Sequence, residues 1–177
     1  MSLDFVTALA SARIGRTHNQ YAGSPLRRER LAGYLDAKRD ARLLLVGEAA
    51  GYRGARVSGI AFTSERQLTG AGPAELSATI VHRTLAELGV ADDVLLWNLV
   101  PTHPHRPEEP QSNRPPTRDE VAAGRPFLEA LAASGPPDRR MLGVGRLAQQ
   151  ELGCPYVRHP SHGGAAAFGE TLAACLS

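Results

Sequence analysis

Residues 42–65 read Arg42-Leu-Leu-Leu-Val46-Gly47-Glu48-Ala49-Ala50-Gly51-Tyr52-Arg53-Gly54 and, four residues on, Gly59-Ile60-Ala61-Phe62-Thr63-Ser64-Glu65. Leu43 to Val46 is an apolar run with no polar interruption, the pattern of a strand buried on both faces. The run ends at Gly47, with a carboxylate at Glu48 and further glycines at Gly51, Gly54 and Gly59. A strand that stops in such a loop presents bare backbone N–H groups at the carboxyl edge of a parallel sheet, where open α/β sheets bind ligands. Taken alone, the stretch also fits an ordinary strand-to-loop turn, because glycine loops are weak signals.

Before this stretch, residues 3–14 are expected to form a short helix with Leu3, Val6, Leu9 and Ala10 on one face. A polar loop over 15–25 leads to a second helix from about Pro25 to Arg39, with Leu26, Leu31 and Leu35 facing inward. After it, Pro73 stands where a helix would start. Leu76, Ile80, Leu85 and Leu88 then recur at helical spacing up to Gly89. A strand is expected over Val94–Val100. Six prolines between 101 and 116 preclude a regular element there, and the rhythm that resumes afterwards marks this stretch as a working loop. Thr117-Arg118-Asp119-Glu120 is a capping box opening a helix to about Ala133. Strands at Met141–Val144 and Tyr156–Arg158 follow, with helices from about Arg146 to Leu152 and from about Ala165 to Leu176. Strand and helix alternate four times. The fold class is therefore α/β: one domain over 1–177, a three-layer α/β/α sandwich around a four-stranded parallel sheet.

Composition bounds the function. The chain has 177 residues, 42% hydrophobic and 21% charged, which suits one globular domain with a full core. A net charge of +2 does not by itself demand a polyanionic partner. Lys38 is the only lysine, and an arginine-rich balance suits phosphate contacts as well as a GC-rich genome. Cys154 and Cys175 form no CxxC arrangement, which argues against a disulfide scaffold or a cysteine metal site. Thr102-His103-Pro104-His105 offers two histidines without an evident carboxylate or cysteine partner, so no metal is expected there. His18 and His82 read as surface or helix-packing residues. With no apolar run of membrane-spanning length and no signal-peptide core, a soluble, cytoplasmic protein is expected; a monomer is the working expectation, although the sequence does not fix the oligomeric state.

Two further stretches carry chemistry. Leu95-Leu96-Trp97-Asn98-Leu99-Val100-Pro101 is an apolar run with a single amide, and Val157-Arg158-His159-Pro160-Ser161-His162-Gly163-Gly164 holds a His-Pro-Ser triplet. In order and spacing with the first loop, these motifs make residues 42–175 resemble the uracil-DNA glycosylase superfamily. The match is closest to the branch with a Gly-Glu-Ala first loop. Asn113-Arg114-Pro115-Pro116-Thr117 and Arg125-Pro126-Phe127-Leu128 resemble the branch that carries an iron–sulfur cluster, but Thr102 and Gly124 stand in the neighbourhoods of its cysteines. No cluster and no other cofactor is expected.

The resemblance implies DNA as partner, single- or double-stranded, and excision of uracil or a related deaminated base. Such chemistry must hold a flipped base, read its edge, stabilise a leaving anion and steer a water. The amide of Asn98 matches the N3–H donor and O4 acceptor of uracil, a pattern reversed in cytosine. Phe62, in Gly59-Ile60-Ala61-Phe62, is the implied stacking platform. His159 is the implied hydrogen-bond donor to O2 of the leaving base. Gly47 and Ala49 would line the base pocket with backbone. Ser161, His162, Gly163 and Gly164 would grip the DNA strand, with His162 as the wedge if there is one. Glu48 is the candidate carboxylate for steering water or countering the sugar cation, with Glu65 as a second. Ala49 stands where one branch carries an Asp, and Ala50 where the Gly-Glu-Ala branch usually carries Pro. Those departures keep a binding module that does not cleave DNA open as an alternative. A small-nucleotide binder using the Gly47–Gly54 loop is a third reading, though it lacks a P-loop lysine.

Overall fold

The computed structural model describes residues 2–177. In chain order the elements are α1 (Ser2–Ser11), α2 (Pro25–Ala37), β1 (Leu43–Ala49), α3 (Ala55–Ser58), α4 (Glu65–Thr69), α5 (Leu76–Glu87), a 3-10 turn (Ala91–Asp93), β2 (Val94–Val100), α6 (Arg118–Ala133), β3 (Arg140–Val144), α7 (Arg146–Leu152), β4 (Tyr156–Val157) and α8 (Ala165–Leu176). The four strands form one parallel sheet in the order β2-β1-β3-β4, and helices cover it on both sides. This is the three-layer sandwich expected from the alternation of elements.

Strand alternation sorts the core into two halves. Leu44 and Val46 of β1, with Leu95, Trp97 and Leu99 of β2, pack against Val6 and Leu9 of α1, Leu31 and Leu35 of α2, and Val121 and Leu128 of α6. Leu43 and Leu45, with Val94 and Leu96, face the other way, onto Ile80, Val81 and Leu85 of α5 and Phe168 and Leu172 of α8. Burial on both faces explains why the strands read as unbroken apolar runs. Gly47 and Asn98 continue the second set of rows, on the α5 and α8 side.

Several boundaries differ from the sequence reading. The first helix stops at Ser11 and the second at Ala37. β1 runs two residues past Gly47, to Ala49, so Gly47 and Glu48 are strand residues rather than loop. Two short helices, α3 and α4, occupy what read as glycine-rich loop. The helix expected from Pro73 begins at Leu76. Leu26 and Leu76, expected to face inward, are 54% and 73% exposed, and Leu3 is 69% exposed. All three lie in the first turn of their helices. No helix among the described residues is long and apolar enough to cross a membrane.

Order β2-β1-β3-β4 places a topological switch beside β1: its first crossover goes to one side, its next neighbour lies on the other. Ligand crevices form outside the carboxyl ends of the strands at such a point.

Candidate active site

A cavity of about 840 Å³ opens at that switch point, a volume in the usual range for ligand sites. Every strand contributes to it, in or just beyond its carboxyl-terminal half, with Tyr156 of the two-residue β4 added. Glu48 and Ala49 come from β1, Asn98 from β2, Val144 from β3, and Tyr156 with Arg158 and His159 from β4 and its exit loop. Phe62 closes it from the turn between α3 and α4. The three side chains singled out in the sequence for stacking, reading and donation therefore line one cavity.

Asn98 is 4% exposed, and among the described residues no protein group hydrogen-bonds its amide. A buried amide without a protein partner is costly unless a ligand or water completes it. Gly47 pairs with Asn98 across β1 and β2. A Cβ built on Gly47 would lie 2.7 Å from Asn98 Oδ1 and 2.7 Å from Phe62 Cε2. The bare glycine is thus what keeps space between amide and ring, although Gly47 itself does not line the cavity wall.

Phe62 adopts a φ of 50°, a left-handed conformation uncommon for a bulky side chain. The surrounding turn holds it there. Ser58 Oγ donates to Thr63 O at 2.6 Å and accepts from Ile60 N at 3.0 Å. Thr63 Oγ1 meets His82 Nε2 at 3.0 Å, so His82 does serve packing on α5. The Phe62 ring lies 6.3 Å from the His159 ring, centroid to centroid, tilted by 43°. Strain fixed by buried hydrogen bonds is a recurrent mark of ligand clamps.

The loop after β4 sets the tautomer of His159. The backbone N–H of Ser161 donates to His159 Nδ1 at 3.1 Å, with Ser161 Oγ also 2.8 Å from that nitrogen. Nδ1 is therefore the acceptor, and in the neutral ring the hydrogen resides on Nε2. Burial lowers the pKa of His159 below 6.5, helped by Arg158 and His162. The ring is neutral at pH 7 and carries one donor. Ser161 Oγ also lies 3.0 Å from His162 Nδ1.

Ser161 and His162 line the cavity, and His162 is exposed with a φ of 53°. Gly163 is exposed beside them, whereas Gly164 is buried and its N–H donates to Ser161 O at 3.1 Å. That N–H is already used and is not free for a phosphate.

The carboxylates separate into paired and unpaired. Glu65 accepts from Arg30 at 2.8 and 2.9 Å, which lowers its pKa, and it does not line the cavity. Glu48 does line it, and burial raises its pKa. Glu75, at the N-cap of α5, lines the same cavity and is likewise raised by burial. Nothing in its local sequence had marked it.

The Pro-rich stretch forms another wall through Pro104, Asn113, Arg114 and Pro115. Asn113 Oδ1 accepts from Tyr52 N at 2.9 Å, tying this wall to the first loop. His103 is fully buried, and its Nδ1 contacts Ala50 O at 2.8 Å, so it anchors the same loop. Among the described residues no group of three or more His, Cys, Asp or Glu side chains could hold a metal ion. Arg146 stacks over Tyr156 at 5.0 Å and adds a cation to the mouth. Arginines and tyrosines of this kind reveal their role only once the strands are placed.

A family model described as the Uracil DNA glycosylase superfamily matches residues 33–173. Wild-type SMUG2 from Pedobacter heparinus, a solved crystal structure, superimposes with a TM-score of 0.73 at 12% sequence identity, covering 99% of this chain and 96% of that one. At that identity the likeness is one of fold. No curated protein matches the chain.

Proposed function

The chain belongs to the uracil DNA glycosylase superfamily, and on that premise we propose that it flips uracil, or a closely related deaminated base, out of DNA and hydrolyses its N-glycosidic bond. The observation that carries this reading is the common cavity of Asn98, Phe62 and His159. An unpartnered amide, a clamped aromatic ring and a neutral imidazole with its hydrogen on Nε2 are the groups that base excision requires.

In this reading Phe62 covers one face of the flipped base, and Gly47 leaves the space for it. Asn98 donates to O4 and accepts from N3–H, which selects uracil against cytosine. As the C1′–N bond breaks, charge develops on the base. His159 Nε2–H donates to O2, where a neutral donor stabilises an anion without first giving up its proton. Glu48 presents a negative charge to the cationic sugar. Ser161 and His162 meet the strand at the mouth, with Arg146 and Arg158 beside them.

Incubation with uracil-containing oligonucleotides, single-stranded or paired with A or G, followed by alkali, should give strand scission at the uracil. Absence of scission with uracil, hypoxanthine and xanthine substrates would remove the enzymatic claim. Salt-dependent binding without scission would favour a recognition module instead, a reading supported by Ala49, which lines the cavity where one branch carries an Asp.

A further inference from the structure

Glu75 is out of place for its position. The side chains that ordinarily turn onto the first free N–H groups at a helix N-cap are those of Asp, Asn, Ser and Thr. Glu75 makes no such bond, and among the described residues no cation or donor engages its carboxylate. The side chain turns instead to the loop after β1. A Cβ built on Gly54 would lie 2.7 Å from Glu75 Cδ and 3.0 Å from Oε1, and one built on Gly51 would lie 3.5 Å from Cδ. Two bare glycines thus make the room in which this carboxylate sits. There it forms part of the wall shared with Glu48, Phe62, Asn98 and His159.

Glu75 shares with Glu48 the lack of a partner, and two other carboxylates withdrawn from solvent show the contrast. Glu65 is held by Arg30 and Glu120 by Arg114. A half-sequestered carboxylate with no partner is a standing cost to the fold, and such groups cluster where chemistry needs a proton acceptor. Burial as the sole cause of its raised pKa fits the same role.

We propose that Glu75 is the general base of the reaction, the group that takes the proton from the attacking water. The inference rests on the glycosylase reading above. In the step, the C1′–N bond breaks and its electron pair leaves with the base. The water oxygen bonds to C1′, and one water proton passes to the Glu75 carboxylate. The base anion, held by His159, is then protonated by solvent, and Glu75 releases its proton to solvent. The net change is addition of one water across the bond. Glu48 retains the charge facing the sugar, so the two carboxylates divide the work that a single first-loop carboxylate would otherwise do.

The test is single-turnover excision from a uracil oligonucleotide by the wild type, Glu75→Gln and Glu75→Ala, with binding to an oligonucleotide bearing a tetrahydrofuran abasic analogue measured in parallel. Glu75→Gln keeps the shape and polarity of the side chain but not its basicity. The expected loss is about 10²-fold or more in rate, with abasic-analogue affinity within threefold of wild type. Added formate should restore part of the rate to Glu75→Ala, because the vacated space lies against Gly51 and Gly54. A Glu75→Gln rate within threefold of wild type would overturn the assignment, as would a loss accompanied by equal loss of binding and no rescue by formate. Should the wild type itself excise nothing, the glycosylase reading fails and the assignment falls with it. Activity in both wild type and Glu75→Gln removes the assignment alone.

Discussion

Asn98 and Gly47 stand opposite each other on adjacent parallel strands, and a single methyl group on Gly47 would reach to 2.7 Å from the Asn98 carbonyl oxygen. The same methyl would press on the Phe62 ring. Gly47→Ala should therefore close the slot between the Asn98 amide and the Phe62 ring. Overpacking of this kind costs about 1–3 kcal/mol, so the variant should still fold with a lowered melting temperature. Its uracil excision should fall by about 10²-fold or more, because one misplaced ångström at a reacting centre has that effect. Thermal melts and single-turnover assays on one preparation check both halves.

Substitution of Asn98, the proposed reader, separates recognition from fold. Asn98→Ala removes a buried amide that no protein group engages, so no broken protein hydrogen bond follows. Stability should change by no more than about 2 kcal/mol. Excision of uracil should drop by about 10²–10³-fold, equally for U·A and U·G pairs, since in the proposed mode the amide faces the flipped base and not the opposite strand. Unequal loss between the two pairs would place Asn98 at the duplex instead.

The His159 tautomer makes a pH prediction with a definite sign. Its pKa in the folded protein lies below the ordinary 6.5, so the neutral, donating ring persists as pH falls through 6.5. The excision rate should stay level there with respect to this group and decline only at lower pH. Arg158→Ala removes one of the cations that depress it, so the NMR midpoint of the His159 ring should move up. The linkage runs the other way for stability. Below pH 6.5 the unfolded chain binds a proton that the folded ring refuses, so this group's contribution shrinks with acidification. His159→Ala should lose about 10²–10³-fold in rate.

How much of this was legible in the sequence depended on how local each signal was. Leu43–Val46 and Val94–Val100 announce buried strands because both faces are covered, and Asn98 stands out as the single amide among them. The helices α3 and α4, of four and five residues, are too short to show a 3.6-residue period, so they passed for loop. Leu26 and Leu76 fit that period but sit in the exposed first turns of their helices, where periodicity did not bring contact. Glu75 was invisible for a different reason. Between Pro73 and Leu76 it looks like any acidic helix start, and its meaning comes from Gly51 and Gly54, more than twenty residues away. Glu65 shows the converse: it sits in the motif-bearing stretch, and only the distance to Arg30 reveals that its charge is already spoken for.

Behind the cavity wall lies a buried ion pair whose removal should be felt in both stability and catalysis. Glu120 is 2% exposed and accepts from Arg114 at 2.7 and 2.8 Å, from Thr117 N at 2.9 Å and from Arg16 N at 3.2 Å. The Arg114 guanidinium, first, and then the backbone donors pull its pKa down to about 2. Through Arg114, whose Nε donates to His105 O at 2.9 Å, this one carboxylate pins the Pro-rich wall to the start of α6. Glu120→Gln leaves Arg114 a partly buried, unneutralised cation, at a cost of about 3 kcal/mol. The lowered pKa fixes the pH window: the contribution is complete above about pH 4.5 and fades as pH falls toward 2, where the folded carboxylate is itself protonated. Urea unfolding of wild type and Glu120→Gln should thus differ most at neutral pH and converge in acid. Because Asn113, Arg114 and Pro115 line the cavity, the variant should also bind uracil-containing DNA less tightly, while a surface control such as Glu87→Gln should not. A gap in stability that persists undiminished below pH 3 would mean that packing, and not charge, holds this wall in place.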